Sequence, residues 1–106
     1  MNEIEGDRPT CPVEYTLKVI GGRWKVLILR ELFPGVKRFN QLQRSLRGIT
    51  QKMLTQQLRE MEADGLIHRQ VYAQVPPKVE YSLTPLGESL KSVLDAMHDW
   101  GEKFKG

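Results

Sequence analysis

The sequence predicts a mainly α-helical domain that carries one small β-hairpin. Apolar residues recur at helical spacing over most of the chain, and glycine or proline divides these stretches into short segments. Two runs with β-strand character flank a stiff turn at residues 74–78, where two prolines fix φ. A length of 106 residues suits one domain. We expect residues 1–10 to form a flexible N-terminal tail and residues 11–106 to form this domain.

The first three predicted helices are short. Helix one begins at Pro12, because proline suits the first helical position, and Gly21 and Gly22 end it. Helix two covers about residues 24–33. A short third helix ends before Gly48, and its apolar positions at i, i+3 and i+7 are Phe39, Leu42 and Leu46.

The second half of the chain predicts a longer helix, a hairpin and a final helix. Thr50 is a suitable N-cap for helix four, residues 50–64, and Gly65 follows it. Residues 67–83 form the hairpin, and residues 85–105 form the last helix. Two helices joined by a short turn with glycine are typical of a helix-turn-helix, and a hairpin directly after them predicts a winged helix-turn-helix.

Basic residues are concentrated in the middle of the chain. The whole sequence has 16 basic and 13 acidic residues, a formal net charge of +3. Residues 32–59 contain no Asp or Glu, residues 32–79 carry a net charge of +5, and the rest of the chain carries −2. Such an asymmetry favours a surface that binds a polyanion. A solvated basic face without a partner is the alternative.

Helix four has the side chains of a DNA-contacting helix. At 100° per residue its polar residues lie opposite the apolar Leu54, Leu58 and Met61. Arg, Lys and Gln pair with purine edges in the major groove, and Thr contacts the thymine methyl. The polar residues of this face are Lys52, Thr55, Gln56 and Arg59. An ordinary amphipathic helix with a polar outer side is the alternative.

A series of short motifs resembles one family along about nine tenths of the chain, from Cys11 onward. In order they are Cys11-Pro12-Val13, Ile20-Gly21-Gly22-Arg23-Trp24, Arg38-Phe39-Asn40, Gly48-Ile49-Thr50, Leu54-Thr55, Leu58-Arg59-Glu60, Asp64-Gly65-Leu66-Ile67, Pro76-Pro77-Lys78-Val79-Glu80-Tyr81, Leu83-Thr84 and Trp100-Gly101. They resemble the HxlR-type bacterial winged-helix transcriptional regulators, relatives of the MarR type. The resemblance implies a cytoplasmic homodimer that binds double-stranded DNA and represses or activates a few genes. It also implies a recognition helix from Thr50 to Glu62 and a wing tip at residues 74–78.

From these features we predict the DNA contacts. Side chains at the groove are expected to be Thr50, Gln51, Lys52, Thr55, Gln56 and Arg59. We expect Arg38, Arg44 and Arg47 to contact phosphates. We expect Gln74 and Lys78 to contact the flanking part of the duplex. A dimer would bind a palindromic operator whose half-site centres lie about 10 base pairs, or a multiple of this, apart.

The last helix has more large apolar residues than one side of a small core needs. We therefore expect the terminal helices to form a dimer interface through Val13, Leu17, Leu94, Met97, Trp100 and Phe104. The alternative is that all of these residues cover the core of a monomer.

Cys11 is the sole cysteine, so an intrachain disulfide and a zinc site with two thiolates are excluded. It precedes Pro12 at a helix N-terminus, where the helix dipole favours a thiolate. Several members of the resembled family sense quinones or oxidants at this position. The resemblance therefore implies alkylation, a mixed disulfide with a small thiol, or a Cys11–Cys11 bridge. The alternative is a half-buried apolar residue without a sensing role.

Other chemistry finds little support in the residues. His68 and His98 lack partners at metal-ligand spacing, and no catalytic triad or phosphate-binding loop is evident. We expect no metal, no cofactor, no enzymatic activity and no membrane contact. The alternative function is a winged-helix module that binds a protein or RNA partner.

Overall fold

The computed structural model describes residues 11–105, so the predicted tail at residues 1–10 lies outside the described part. The elements follow the chain as α1 (Pro12–Ile20), α2 (Trp24–Leu32), β1 (Lys37–Arg38), α3 (Phe39–Ser45), α4 (Gln51–Ala63), β2 (Ile67–Tyr72), β3 (Lys78–Leu83), α5 (Pro85–Glu88) and α6 (Lys91–Phe104). The predicted mainly α-helical architecture is confirmed, with α3 and α4 as the helix-turn-helix and β2 and β3 as the wing.

The sheet has one strand more than the predicted hairpin. Its order is β1-β3-β2, and both pairings are antiparallel. Ile67 pairs with Leu83 and Tyr72 with Lys78, whereas Arg38 of β1 pairs with Glu80. Because β1 leads directly into α3, this third strand attaches the start of the helix-turn-helix to the wing.

The core lies between α2, α3, α4 and the sheet. Leu54, Leu58 and Met61 form the buried stripe of α4, as its periodicity predicts. They belong to one cluster with Ile20, Ile28, Leu29, Leu32, Leu42, Leu46, Ile49, Leu66, Ile67, Tyr81 and Leu94. The opposite face of α4 is therefore turned toward solvent.

Both ends of α4 are capped within the chain. The Thr50 hydroxyl accepts the Met53 N–H at 3.0 Å, which is the predicted N-cap. At the other end Gly65 has φ 76°, the Gly65 N–H donates to the Glu62 carbonyl and the Leu66 N–H to the Met61 carbonyl. These two bonds form a Schellman motif, so α4 has a defined length.

The predicted last helix, residues 85–105, is divided into α5 and α6. The Ser89 hydroxyl donates to the Leu86 carbonyl, and the Leu90 N–H donates to the Gly87 carbonyl. Because the serine side chain competes with the backbone for a helical acceptor, the regular pattern is interrupted here. α5 is fixed against the end of α4, since a Cβ on Gly87 would collide with the Leu66 carbonyl.

Candidate nucleic-acid interface

The outer face of α4 carries the predicted groove contacts. Gln51, Lys52, Gln56 and Arg59 are exposed, and Thr55 is partly buried. Together with Thr50 and Glu60 these side chains line one open groove along the helix. The predicted set is thus brought together on one surface, which we call the α4 face.

Two carboxylates, Glu60 and Glu62, border the α4 face just beyond the stretch of residues 32–59 that contains no Asp or Glu. Glu60 Oε1 lies 2.7 Å from Lys25 Nζ, and Glu60 Oε2 accepts a hydrogen bond from Gln56 Nε2 at 3.3 Å. The Lys25 contact first, and the Gln56 hydrogen bond second, hold the pKa of Glu60 below its ordinary value. Lys25, on α2, was not predicted as a site residue, because no spacing along the chain relates it to Glu60.

The three predicted phosphate-binding arginines are exposed around the helix-turn-helix. Arg38 and Arg44 line a depression between α3 and the sheet, which Glu80 also borders. Arg47 lies in the turn before α4. There it borders a second depression together with Arg23 and Arg30 of the α2 region. Basic side chains therefore lie on both sides of the turn that leads into α4.

Arg69 belongs to the same basic surface but was not predicted as a contact. It lies on β2 and is exposed. It lines a cleft between α4 and the sheet, which also contains the acidic Glu62 beside Thr55, Arg59 and Tyr81. The concentration of charge in residues 32–79 included Arg69, but only the fold brings it beside Arg59.

Gln74 and Lys78, the two wing residues predicted to contact the flanking duplex, differ in their surroundings. Gln74 is exposed in the turn between β2 and β3. Lys78 instead folds back: its Nζ lies 4.3 Å from the centre of the Tyr72 ring and 3.9 Å from a Glu80 carboxylate oxygen. Its side chain is only 24% exposed. Lys78 is therefore engaged within the wing, whereas Gln74 is free to approach a duplex.

Cys11 is exposed and forms the N-cap of α1. The backbone N–H groups of Glu14, and next of Val13, lower the pKa of the Cys11 thiol, although no capping hydrogen bond forms. The half-buried alternative is therefore not what the structure shows, and the thiol is accessible with a larger thiolate fraction than an ordinary cysteine.

The terminal helices expose most of the predicted interface residues. Those with more than a third of their surface exposed are Val13, Leu17, Met97, Trp100 and Phe104. The Trp100 and Phe104 rings are in contact, with centroids 4.7 Å apart and ring planes tilted by 32°. Leu94 is the exception: it is 5% exposed and packs in the core of its own subunit, so it offers no surface to a partner.

Within residues 11–105, no group of three His, Cys, Asp or Glu side chains could hold a metal ion. No helix in the same range is long and apolar enough to cross a bilayer.

Comparison with known proteins gives one consistent result. Residues 19–106 match the model of the family described as HxlR-like helix-turn-helix. The HTH-type transcriptional regulator YdeP of Bacillus subtilis (strain 168) is 60% identical over 95 residues, which cover 90% of this chain and 74% of YdeP. The redox regulator HypR in its oxidized form superposes with a TM-score of 0.84 at 55% identity, covering 91% of this chain and 99% of HypR. The transcriptional regulator YodB from B. subtilis in its reduced form superposes with a TM-score of 0.79 at 37% identity, covering 92% and 96%.

Proposed function

The chain belongs to the HxlR-like helix-turn-helix family of transcriptional regulators, and we propose that it binds a palindromic DNA operator as a homodimer and responds to oxidants or electrophiles through Cys11. Its site of action would be the cytoplasm, where bacterial DNA lies. The observation that carries DNA binding is the α4 face, a polar surface of the helix-turn-helix, together with the exposed arginines around the turn that leads into α4.

The α4 face suits the major groove in both shape and chemistry. The groove of B-DNA admits an α-helix, and Arg, Lys and Gln form hydrogen bonds with base edges there. α4 is supported from behind by its buried stripe, so its outer side chains are presented on a rigid element. Arg38, Arg44 and Arg47 would contact phosphates and fix the register, and Arg69 extends this set toward the wing.

A second copy of the chain is the proposed partner of the terminal helices. Exposure of large apolar side chains to water is unfavourable, and burial against a partner would stabilise residues such as Trp100, 66% exposed, and Val13, 67% exposed. A two-fold dimer covers the same patch on both copies at once. It also presents two α4 helices, which a palindromic operator requires.

The test of DNA binding is the selection of duplexes from a random pool by the purified protein. We expect a palindromic sequence with half-sites about 10 base pairs, or a multiple of this, apart. Arg59→Ala should weaken binding of the selected duplex by about 1–3 kcal/mol if Arg59 pairs with guanine. If Arg59 contacts only phosphate, the variant should instead reduce the slope of log K against log salt concentration (the salt slope) by about one per contact. Tight binding by Arg59→Ala with an unchanged slope would refute its assignment, and salt-insensitive binding to a protein instead of DNA would refute the function.

Cys11 supports the proposed response, because it is exposed and its pKa is lowered. Its thiolate would add to a quinone through a new S–C bond. It would also exchange with a small disulfide and release one thiol, or join the partner's Cys11 while diamide takes up two electrons and two protons. We expect diamide to change the operator Kd of the wild type reversibly, and to leave Cys11→Ser unaffected. Modified Cys11 with an unchanged Kd would exclude the sensing role.

A further inference from the structure

Three side chains form a continuous chain of contacts at the edge of the α4 face. Lys25 Nζ holds Glu60 Oε1 at 2.7 Å, and Glu60 Oε2 accepts from Gln56 Nε2 at 3.3 Å. The Lys25 side chain is only 12% exposed, so its ammonium group is part of the packed subunit rather than a mobile surface charge. Glu60 is therefore fixed at one oxygen and presents the other oxygen to Gln56.

This contact determines which way the Gln56 amide faces. An ionised carboxylate only accepts hydrogen bonds, whereas a glutamine amide has an NH₂ donor on one side and a carbonyl acceptor on the other. If the amide rotated by 180°, its oxygen would face the Glu60 oxygen and two acceptors would be in contact. The NH₂ group must therefore face Glu60.

Once Gln56 faces this way, its remaining hydrogen-bonding groups have a set order. One N–H is used by Glu60, and the other N–H and the carbonyl oxygen stay available. A donor beside an acceptor matches adenine, whose N7 accepts and whose N6 donates in the major groove. We propose that Lys25 and Glu60 are positioning residues that fix the Gln56 amide in the orientation that selects adenine. This inference rests on the proposed DNA-binding function.

The decisive variant is Glu60→Gln. It keeps the shape of the side chain, but the Lys25 ammonium only donates, so it would hold the oxygen of the new amide and leave the NH₂ group of that amide toward Gln56. A donor at this place favours the reversed orientation, in which the Gln56 carbonyl oxygen faces position 60. Binding is measured on the selected duplex and on duplexes in which each base pair is changed singly. We expect Glu60→Gln to lose discrimination at one base pair per half-site, by about 5- to 150-fold, which is the range of a bidentate base contact.

Gln56→Ala identifies that base pair independently. Both single variants should lose discrimination at the same position, and Glu60→Gln should add nothing there in the Gln56→Ala background. Lys25→Arg, which keeps the ion pair, should retain the discrimination. Lys25→Met should reduce it, with circular dichroism and thermal melting as checks that the variant is folded.

A purely electrostatic role of Glu60 gives a different result. Removal of a negative charge near DNA strengthens binding to all duplexes alike. Asp64→Asn is the matched control, because Asp64 is exposed at the C-terminal end of α4 and lines neither the groove of the α4 face nor the cleft beside Arg59. It should change the affinity uniformly and leave every base preference intact.

The outcomes separate this inference from the function beneath it. If the wild type selects no duplex, the proposed function fails. If the wild type selects an operator but Glu60→Gln discriminates as the wild type does, or loses discrimination at a different base pair from Gln56→Ala, only the positioning role is overturned.

Discussion

Arg44→Ala gives the most quantitative test of the proposed DNA complex. Arg44 is exposed on α3, so the alanine should leave the fold intact. With Arg38 and Arg47 it would make about six phosphate contacts per dimer, which contribute about −5.4 to the slope of log K against log salt. Between 50 and 200 mM salt these contacts would then lower the affinity about 2,000-fold. Without the two Arg44 contacts this contribution should become about −3.6, and the fall about 150-fold.

The assay is fluorescence anisotropy with the selected operator over this salt range. Lys103→Ala is the matched control, because it removes one positive charge from the exposed side of α6, outside the helix-turn-helix. Its slope should equal that of the wild type. An unchanged slope for Arg44→Ala, or an equal decrease for Lys103→Ala, would refute the assignment of phosphate contacts to the surface around α4.

Three further predictions concern stability, assembly and reactivity. Thr84→Val removes a hydroxyl that donates to the Gly65 carbonyl at 2.6 Å and accepts the Gly87 N–H at 3.1 Å. It should lower the free energy of unfolding by about 2 kcal/mol in urea denaturation. Thr84→Ser retains the hydroxyl and should leave the free energy of unfolding close to that of the wild type. Trp100→Ala should leave the subunit folded but weaken the dimer at least about tenfold in sedimentation equilibrium, since exposed aromatic anchors dominate interfaces; an unchanged dimer would contradict the proposed interface. Alkylation of Cys11 by iodoacetamide should reach half its maximal rate at a pH below the ordinary thiol pKa, since backbone N–H groups of α1 favour the thiolate. A profile like that of a free small thiol would contradict this.

The elements that the sequence predicted well are those with local signals. For α4, the apolar period, the Thr50 cap and Gly65 each act within a few residues, and the observed ends agree with the prediction to within one residue. The α4 face followed from the same period, because the buried side of a helix fixes its exposed side.

The features that were missed depend on contacts between distant parts of the chain or on one side chain. β1 has two residues, too few for any period, and exists because it pairs with β3. The division of the last helix follows from one Ser89 hydrogen bond. Leu94 was misplaced because a broad apolar stripe does not show which members face the subunit's own core and which face outward.

The position of α4 depends on both of its neighbours in the fold. Lys25 of α2 holds it at Glu60. Its C-terminal end is joined to the start of α5 through Thr84, whose hydroxyl donates to the Gly65 carbonyl and whose N–H donates to the Leu66 carbonyl. α5 continues into α6, which carries most of the proposed dimer contacts. Because α4 and α6 are linked by these hydrogen bonds and a short segment of chain, the separation of the two α4 helices in a dimer would follow the way α6 meets its partner.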